Sequence, residues 1–101
     1  MDILTALESL SALSHETRLW VFRLLVQAGR EGMSAGEIAE ALSSRQNTLS
    51  SHLAKLTDAA LISRRRQGRR VIYQAAEETM RELAAFLHAE VGDGESDPYF
   101  Q

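Results

Sequence analysis

Residues 34–74 read SAGEIAEALSSRQNTLSSHLAKLTDAALISRRRQGRRVIYQ, and this stretch decides the fold. Ser34 followed by Glu37 has the form of a capping box, opening a short helix through Ile38, Ala39 and Leu42 until Ser43 and Ser44 break it. A longer helix follows from about Arg45 to Ala59, with Leu49, Leu53, Leu56 and Ala60 at the spacing of one buried stripe. Two helices joined by so short a turn make a helix-turn-helix unit. Beyond it, Leu61 to Arg66 and Arg69 to Gln74 place β-branched and aromatic residues on either side of Gln67-Gly68, which predicts a two-stranded β-hairpin.

Working outward, Ile3, Leu7 and Leu10 recur at helical spacing between Ile3 and Leu13, with Leu4 and Leu13 beside them, so a first amphipathic helix is expected. Ser14 reads as the N-cap of a second helix, with Glu16 in its first turn and Gly29 as its stop. That helix is apolar nearly all round, which predicts a central position packed on more than one side. From Glu77 to Val91 a last helix lines up Met80, Leu83, Ala84, Leu87 and Val91 on one face. The expected class is mainly α (α+β), with about five helices and a hairpin, in a single domain over residues 1–91. Residues 92–101 have loop composition, which predicts a mobile tail. A chain of 101 residues builds a modest core, so apolar stripes left over on the terminal helices favour a partner copy.

The charge is unevenly placed. The net charge is -3, yet residues 45–70 hold seven basic side chains and one acid, against four basic and thirteen acidic side chains elsewhere. Such segregation predicts one basic face on an otherwise anionic surface. The absence of cysteine excludes disulfides, thiol switches and thiolate metal sites within the chain. No signal peptide or membrane-length apolar run is visible, so a cytoplasmic location without membrane contact is expected.

On the fourth helix, Asn47, Ser50, Ser51 and Ala54 lie opposite the leucine stripe and form a face of small and amide side chains. Such a face fits the major groove of a DNA duplex, where Gln46 and Asn47 have the donors and acceptors to read base edges. Arg45, Thr48 and Lys55, with the amides that open the helix, suit phosphates. The hairpin adds five arginines, Arg64, Arg65, Arg66, Arg69 and Arg70, of which Arg66, Arg69 and Arg70 cluster at the tip beyond what edge protection requires.

Other titratable groups suit structural roles. His52 is adjacent to Ser50 and Ser51, but no acid is placed to orient its ring, and a semi-buried packing role between helices fits better. His15 receives the same assignment. His88 near Glu90 and Asp93 is thin for zinc, so no metal or other cofactor is assigned. No nucleophile, base and orienting acid converge, which argues against an enzyme. Trp20 is open between the core, a dimer seam and an effector pocket.

Three blocks carry a resemblance: residues 12–19 (Ala12 to Leu19), residues 48–56 (Thr48 to Leu56) and residues 64–73 (Arg64 to Tyr73). In this order and spacing the chain resembles the ArsR/SmtB family of bacterial winged-helix repressors. The resemblance implies a homodimer joined through the first and last helices, with Leu4, Leu7, Leu10, Met80, Leu83, Leu87 and Val91 as seam residues. It further implies a recognition helix in the major groove, a wing on flanking DNA, and release by an effector whose identity is open. Ser34 and Gly36 stand where arsenic-sensing members carry paired cysteines, so that site does not transfer. Glu77, Glu90 and Asp93 match the zinc-sensing site of the last helix only loosely. Ala60 replaces a family glycine, an exchange that expects the backbone there to avoid positive φ. The expected function is dimeric readout of a near-palindromic operator; the alternative is a winged-helix module that docks an acidic protein.

Overall fold

A computed structural model describes residues 1–91. Its elements are α1 (Ile3–Leu13), α2 (Glu16–Ala28), a single 3-10 turn (Gly29–Glu31), β1 (Met33–Ser34), α3 (Ala35–Ala41), α4 (Gln46–Asp58), β2 (Ile62–Gln67), β3 (Arg70–Ala75) and α5 (Glu77–Val91). The expected tail over residues 92–101 lies outside the described residues.

Local chemistry sets the helix ends. The Asp2 carboxylate accepts from the Thr5 amide at 2.8 Å and opens α1. The cap of α2 is His15 and not Ser14: its Nδ1 accepts from the Thr17 amide at 3.1 Å, while Ser14 closes α1. At α3 the capping box forms as expected, with Ser34 Oγ accepting from the Glu37 amide and Glu37 Oε1 from the Ser34 amide. Gly29 ends α2 at φ 65°, where only glycine is unstrained.

Val21 and Leu25 of α2, Ile38 and Ala39 of α3, and Leu49, Leu53 and Leu56 of α4 meet Leu61 and Ile62 in one buried cluster. Thus α2 does pack on several sides, against α1, α4 and β3, but not all round, since Leu19, Trp20 and Val26 remain exposed. The sheet has three strands and not two, in the order β1-β3-β2, all pairs antiparallel. The missed strand pairs Met33 with Tyr73 and Ser34 with Ile72. Two residues carry no readable alternation, and only the hairpin beside them makes them a strand. This strand leads directly into the α3 capping box, so it ties the helix-turn-helix to the hairpin.

The first helix packs differently from its leucine pattern. Ala6, Ser9 and Ala12 face the protomer and are buried, while Ile3, Leu4, Leu7 and Leu10 point outward. Small residues allow α1 to approach its neighbours closely and leave the large apolar face uncovered. Buried Ser9 Oγ has no hydrogen-bond partner among the described residues. Ser9→Ala is therefore expected to stabilise the fold by about 1 kcal/mol, read as a higher urea midpoint at unchanged m value.

Ala60 does not extend the α4 stripe. It is exposed at φ 58°, in the left-handed region that the family glycine would fill without strain and that the sequence reading expected this residue to avoid. Its amide bonds to Thr57 O at 2.9 Å and Leu61 N bonds to Leu56 O at 3.0 Å, which hold the turn despite that strain. Ala60→Gly is expected to stabilise by roughly 0.5–1 kcal/mol, the left-handed cost removed less the added chain entropy of glycine.

Candidate nucleic-acid interface

Leu49, Leu53 and Leu56 anchor α4 in the core, and this fixes what the helix shows to solvent. Arg45, Gln46, Asn47, Thr48, Ser50, Ser51, Ala54 and Lys55 are all exposed. With about 100° between successive residues, Asn47, Ser50, Ser51 and Ala54 share one side. No side chain among the described residues caps α4, whose N-cap is Arg45, which leaves the positive end of the helix open to an anion.

A groove of about 700 Å³ runs between α4 and the hairpin. Asn47, Ser50 and Ala54 line one wall, and Arg64 with Tyr73 lines the other. Ser50 is less available than its exposure implies, because its hydroxyl donates to Asn47 O at 2.9 Å. Gln46 leans over the start of α3, its Oε1 about where it would touch a side chain at Gly36. Asn47 and Ser51 therefore hold the most forward positions on the face.

The hairpin sorts its arginines by strand alternation. Arg64 and Arg66 share the β2 face turned to α4, and Arg65 takes the other. Arg65 is half-buried and structural: its guanidinium donates to Gln74 Oε1 at 2.5 Å and to Glu31 O at 3.1 Å, bracing the hairpin on the 3-10 turn. Arg70 also departs from the expected tip cluster, since Nη2 lies 2.6 Å from Glu37 Oε1 in an exposed ion pair. Hydrogen bonds from Ser34, then the charge of Arg70, hold the Glu37 carboxyl below the usual carboxylate range. Arg70 thus joins the hairpin to α3 before it serves any ligand.

Arg66 and Arg69 make no ion pair among the described residues. The loop is Gly68-Arg69 and not the expected Gln67-Gly68, so Arg69 lies in the loop, whose Gly68 adopts φ 64°, and Arg66 one pair below its closing Gln67 and Arg70. Lys55 stands apart from this group, in a separate groove between α4 and α1 that Glu8, Arg18 and Asp58 also line. Arg64 is the residue the sequence reading passed over as a site: period-two alternation from buried Ile62 through Arg64 to Arg66 was the signal that marked it. At the far end of α4, Asp58 lines both grooves and sets an anionic limit to the face.

The seam residues divide. Leu4, Leu7, Leu10 and Leu87 are exposed, and α1 packs beside α5. Leu83 is 7% exposed and spent within the protomer, and Met80 is half-buried beside Trp20. Of Val91 only the backbone is described. Trp20 is not core: it lines an apolar groove with Leu19, Val26 and Met80, and the Arg23 guanidinium sits 5.6 Å from its ring centroid.

Known proteins share this architecture. The model of a helix-turn-helix domain matches residues 13–65, just over half the chain. The HTH-type transcriptional regulator YgaV of Escherichia coli (strain K12) is 33% identical over 78 residues, covering 77% of each protein. An ArsR-like transcriptional regulator from Rhodococcus sp. RHA1 superposes with a TM-score of 0.77 at 26% identity, over 86% of this chain and 79% of that one. A homodimeric winged helix-turn-helix DNA-binding domain from Mycobacterium bovis, a possible ArsR-family regulator, gives a TM-score of 0.70 at 26% identity, over 93% and 85%. No helix among the described residues is long and apolar enough to cross a membrane. With a capped helix pair, an uncharged forward face on α4 and an arginine hairpin beside it, the chain belongs to the ArsR-type winged helix-turn-helix family of DNA-binding transcriptional regulators.

Proposed function

We propose that the chain acts in the cytoplasm as a homodimeric repressor that occludes a near-palindromic operator. The carrying observation is the pairing, across one groove, of the uncharged α4 face with Arg64 of the hairpin, with Arg66 and Arg69, in no ion pair among the described residues, beyond it. In this reading Asn47 and Ser51 meet base edges, with Gln46 at the margin. Arg45, Thr48, Ser50, Arg64, Arg66 and Arg69 meet phosphates, while Lys55 and Arg70 contribute field from the flanks. The outward leucines Leu4, Leu7, Leu10 and Leu87 supply the apolar seam that a second copy covers. Two-fold pairing then sets two α4 helices on successive major grooves, and the bound dimer blocks access to the promoter. Effector response in this reading is independent of thiols, because the chain has no cysteine.

Salt dependence tests it. If a dimer neutralises about eight phosphates, log K plotted against log salt falls with a slope of roughly -7, measured by fluorescence anisotropy on a promoter duplex. A nearly flat slope would overturn the assignment of the wing to phosphates.

A further inference from the structure

The contact that holds α4 against the start of α2 is built from two imidazoles and a guanidinium. His15 and His52 lie with ring centroids 4.5 Å apart. His15 Nδ1 accepts from the Thr17 amide at 3.1 Å, and His52 Nδ1 faces Arg18 Nη1 at 3.4 Å. Arg18 is tethered on its other side, where its Nε donates to Ala12 O at 2.6 Å. Both rings therefore serve as acceptors through Nδ1 and carry their single proton on Nε2.

We propose that His15, His52 and Arg18 form a proton-operated latch on the recognition helix: protonating His52 loosens the contact of α4 with the start of α2 and lowers preference for operator DNA. The inference rests on the operator reading above and adds a mode of regulation to that site. A proton on His52 Nδ1 turns that acceptor into a donor facing the Arg18 donor, beside the His15 ring. The result is two cations packed together, with like charges at short range.

The charged groups around the two rings come from three helices. From α2 come His15, Arg18 and exposed Glu16; from α4, Lys55 and Asp58; from α1, Glu8, which lines the adjoining groove with Arg18, Lys55 and Asp58. Neither Glu8, Glu16 nor Asp58 forms an ion pair with either ring among the described residues. Burial first, then the charges of His15, Arg18 and Lys55, hold His52 below its ordinary 6.5. The sign follows. Above pH 6.5 the ring is neutral whether folded or unfolded, and the contact is intact; below it the unfolded chain takes the proton first, so stability falls as pH falls toward the depressed folded value.

Simple electrostatics makes the opposite forecast, since added positive charge strengthens binding to every duplex. The ratio of operator to non-specific affinity separates the two. Between pH 7.5 and 5.5 that ratio is expected to drop about tenfold, within the usual range of coupling between two linked sites. The double variant His15→Asn with His52→Gln keeps both acceptors without a titrating ring, and its ratio should stay flat; His88→Gln, exposed on α5, should keep the wild-type drop. If the double variant does not fold, imidazole C–H shifts of the wild type still decide: reciprocity requires the apparent pKa of His52 to be lower in the operator complex than in the complex with a non-specific duplex. A ratio that is constant or rises in acid overturns the latch, as does a His52 pKa that is equal or higher in the operator complex than in the non-specific one. A wild type that prefers no duplex at pH 7.5 ends the latch as well, but marks the failure as that of the operator reading.

Discussion

Replacing Arg66 and Arg69 together by alanine is expected to weaken operator binding on the order of 100-fold or more near 0.15 M salt, and to flatten the salt slope by about 3–4 per dimer. Four guanidinium groups are lost per dimer, and each released counterion contributes close to one unit of slope. Neither side chain has an ion-pair partner in the protomer among the described residues, so their loss leaves no buried charge behind and folding stability should stay within about 0.5 kcal/mol. Arg70→Ala should behave differently. Its ion pair with Glu37 makes it in part a joint between wing and α3, and the slope should change less. Anisotropy titrations of both variants, each at several salt concentrations, check the order. Retained operator affinity with loss of an acidic protein partner would favour the docking-module reading instead.

Gly32→Ala is expected to be the most damaging single exchange for stability, at about 3–4 kcal/mol. Gly32 sits at φ 65°, a region that costs other residues roughly 1–2 kcal/mol on its own. A Cβ there would also overlap the backbone oxygen of Tyr73 and come within 2.8 Å of Ile72 Cγ2. Neither neighbour yields readily, since Tyr73 is paired with Met33 across the sheet and Ile72 is buried. Relief would require unzipping β1 from β3, and β1 is what fixes the capping box of α3 to the wing. The urea midpoint should fall by about 2 M at unchanged m value. Gly68→Ala, open on all sides, should cost only its positive φ.

Much of this architecture could be read from residue order because most of its signals are local. Capping of α3 by Ser34 and Glu37, the stripe of Leu49, Leu53 and Leu56, and the glycine turn at Gly68 each act within a few residues of themselves. Where the reading failed, partners distant in sequence decided the outcome. Strand β1 exists only because β3 is there to receive it. Ser14 is a better intrinsic cap than His15, yet the ring of His15 lies against His52 and is positioned to take the amide. The hairpin arginines looked alike as a charge cluster, and the fold divided them among a brace at Arg65, a joint at Arg70 and open guanidiniums at Arg64, Arg66 and Arg69. Ala60 shows the converse, a strained backbone kept because its turn bonds hold it.

The central claim is that the forward face of α4 reads base edges while the hairpin holds phosphates. Selecting bound duplexes from a random pool at about 0.15 M salt tests it most directly. The account predicts enrichment of an inverted repeat whose half-site centres lie about 10–10.5 base pairs apart. A pool that remains random after repeated rounds, while the protein still binds all duplexes alike, would contradict it.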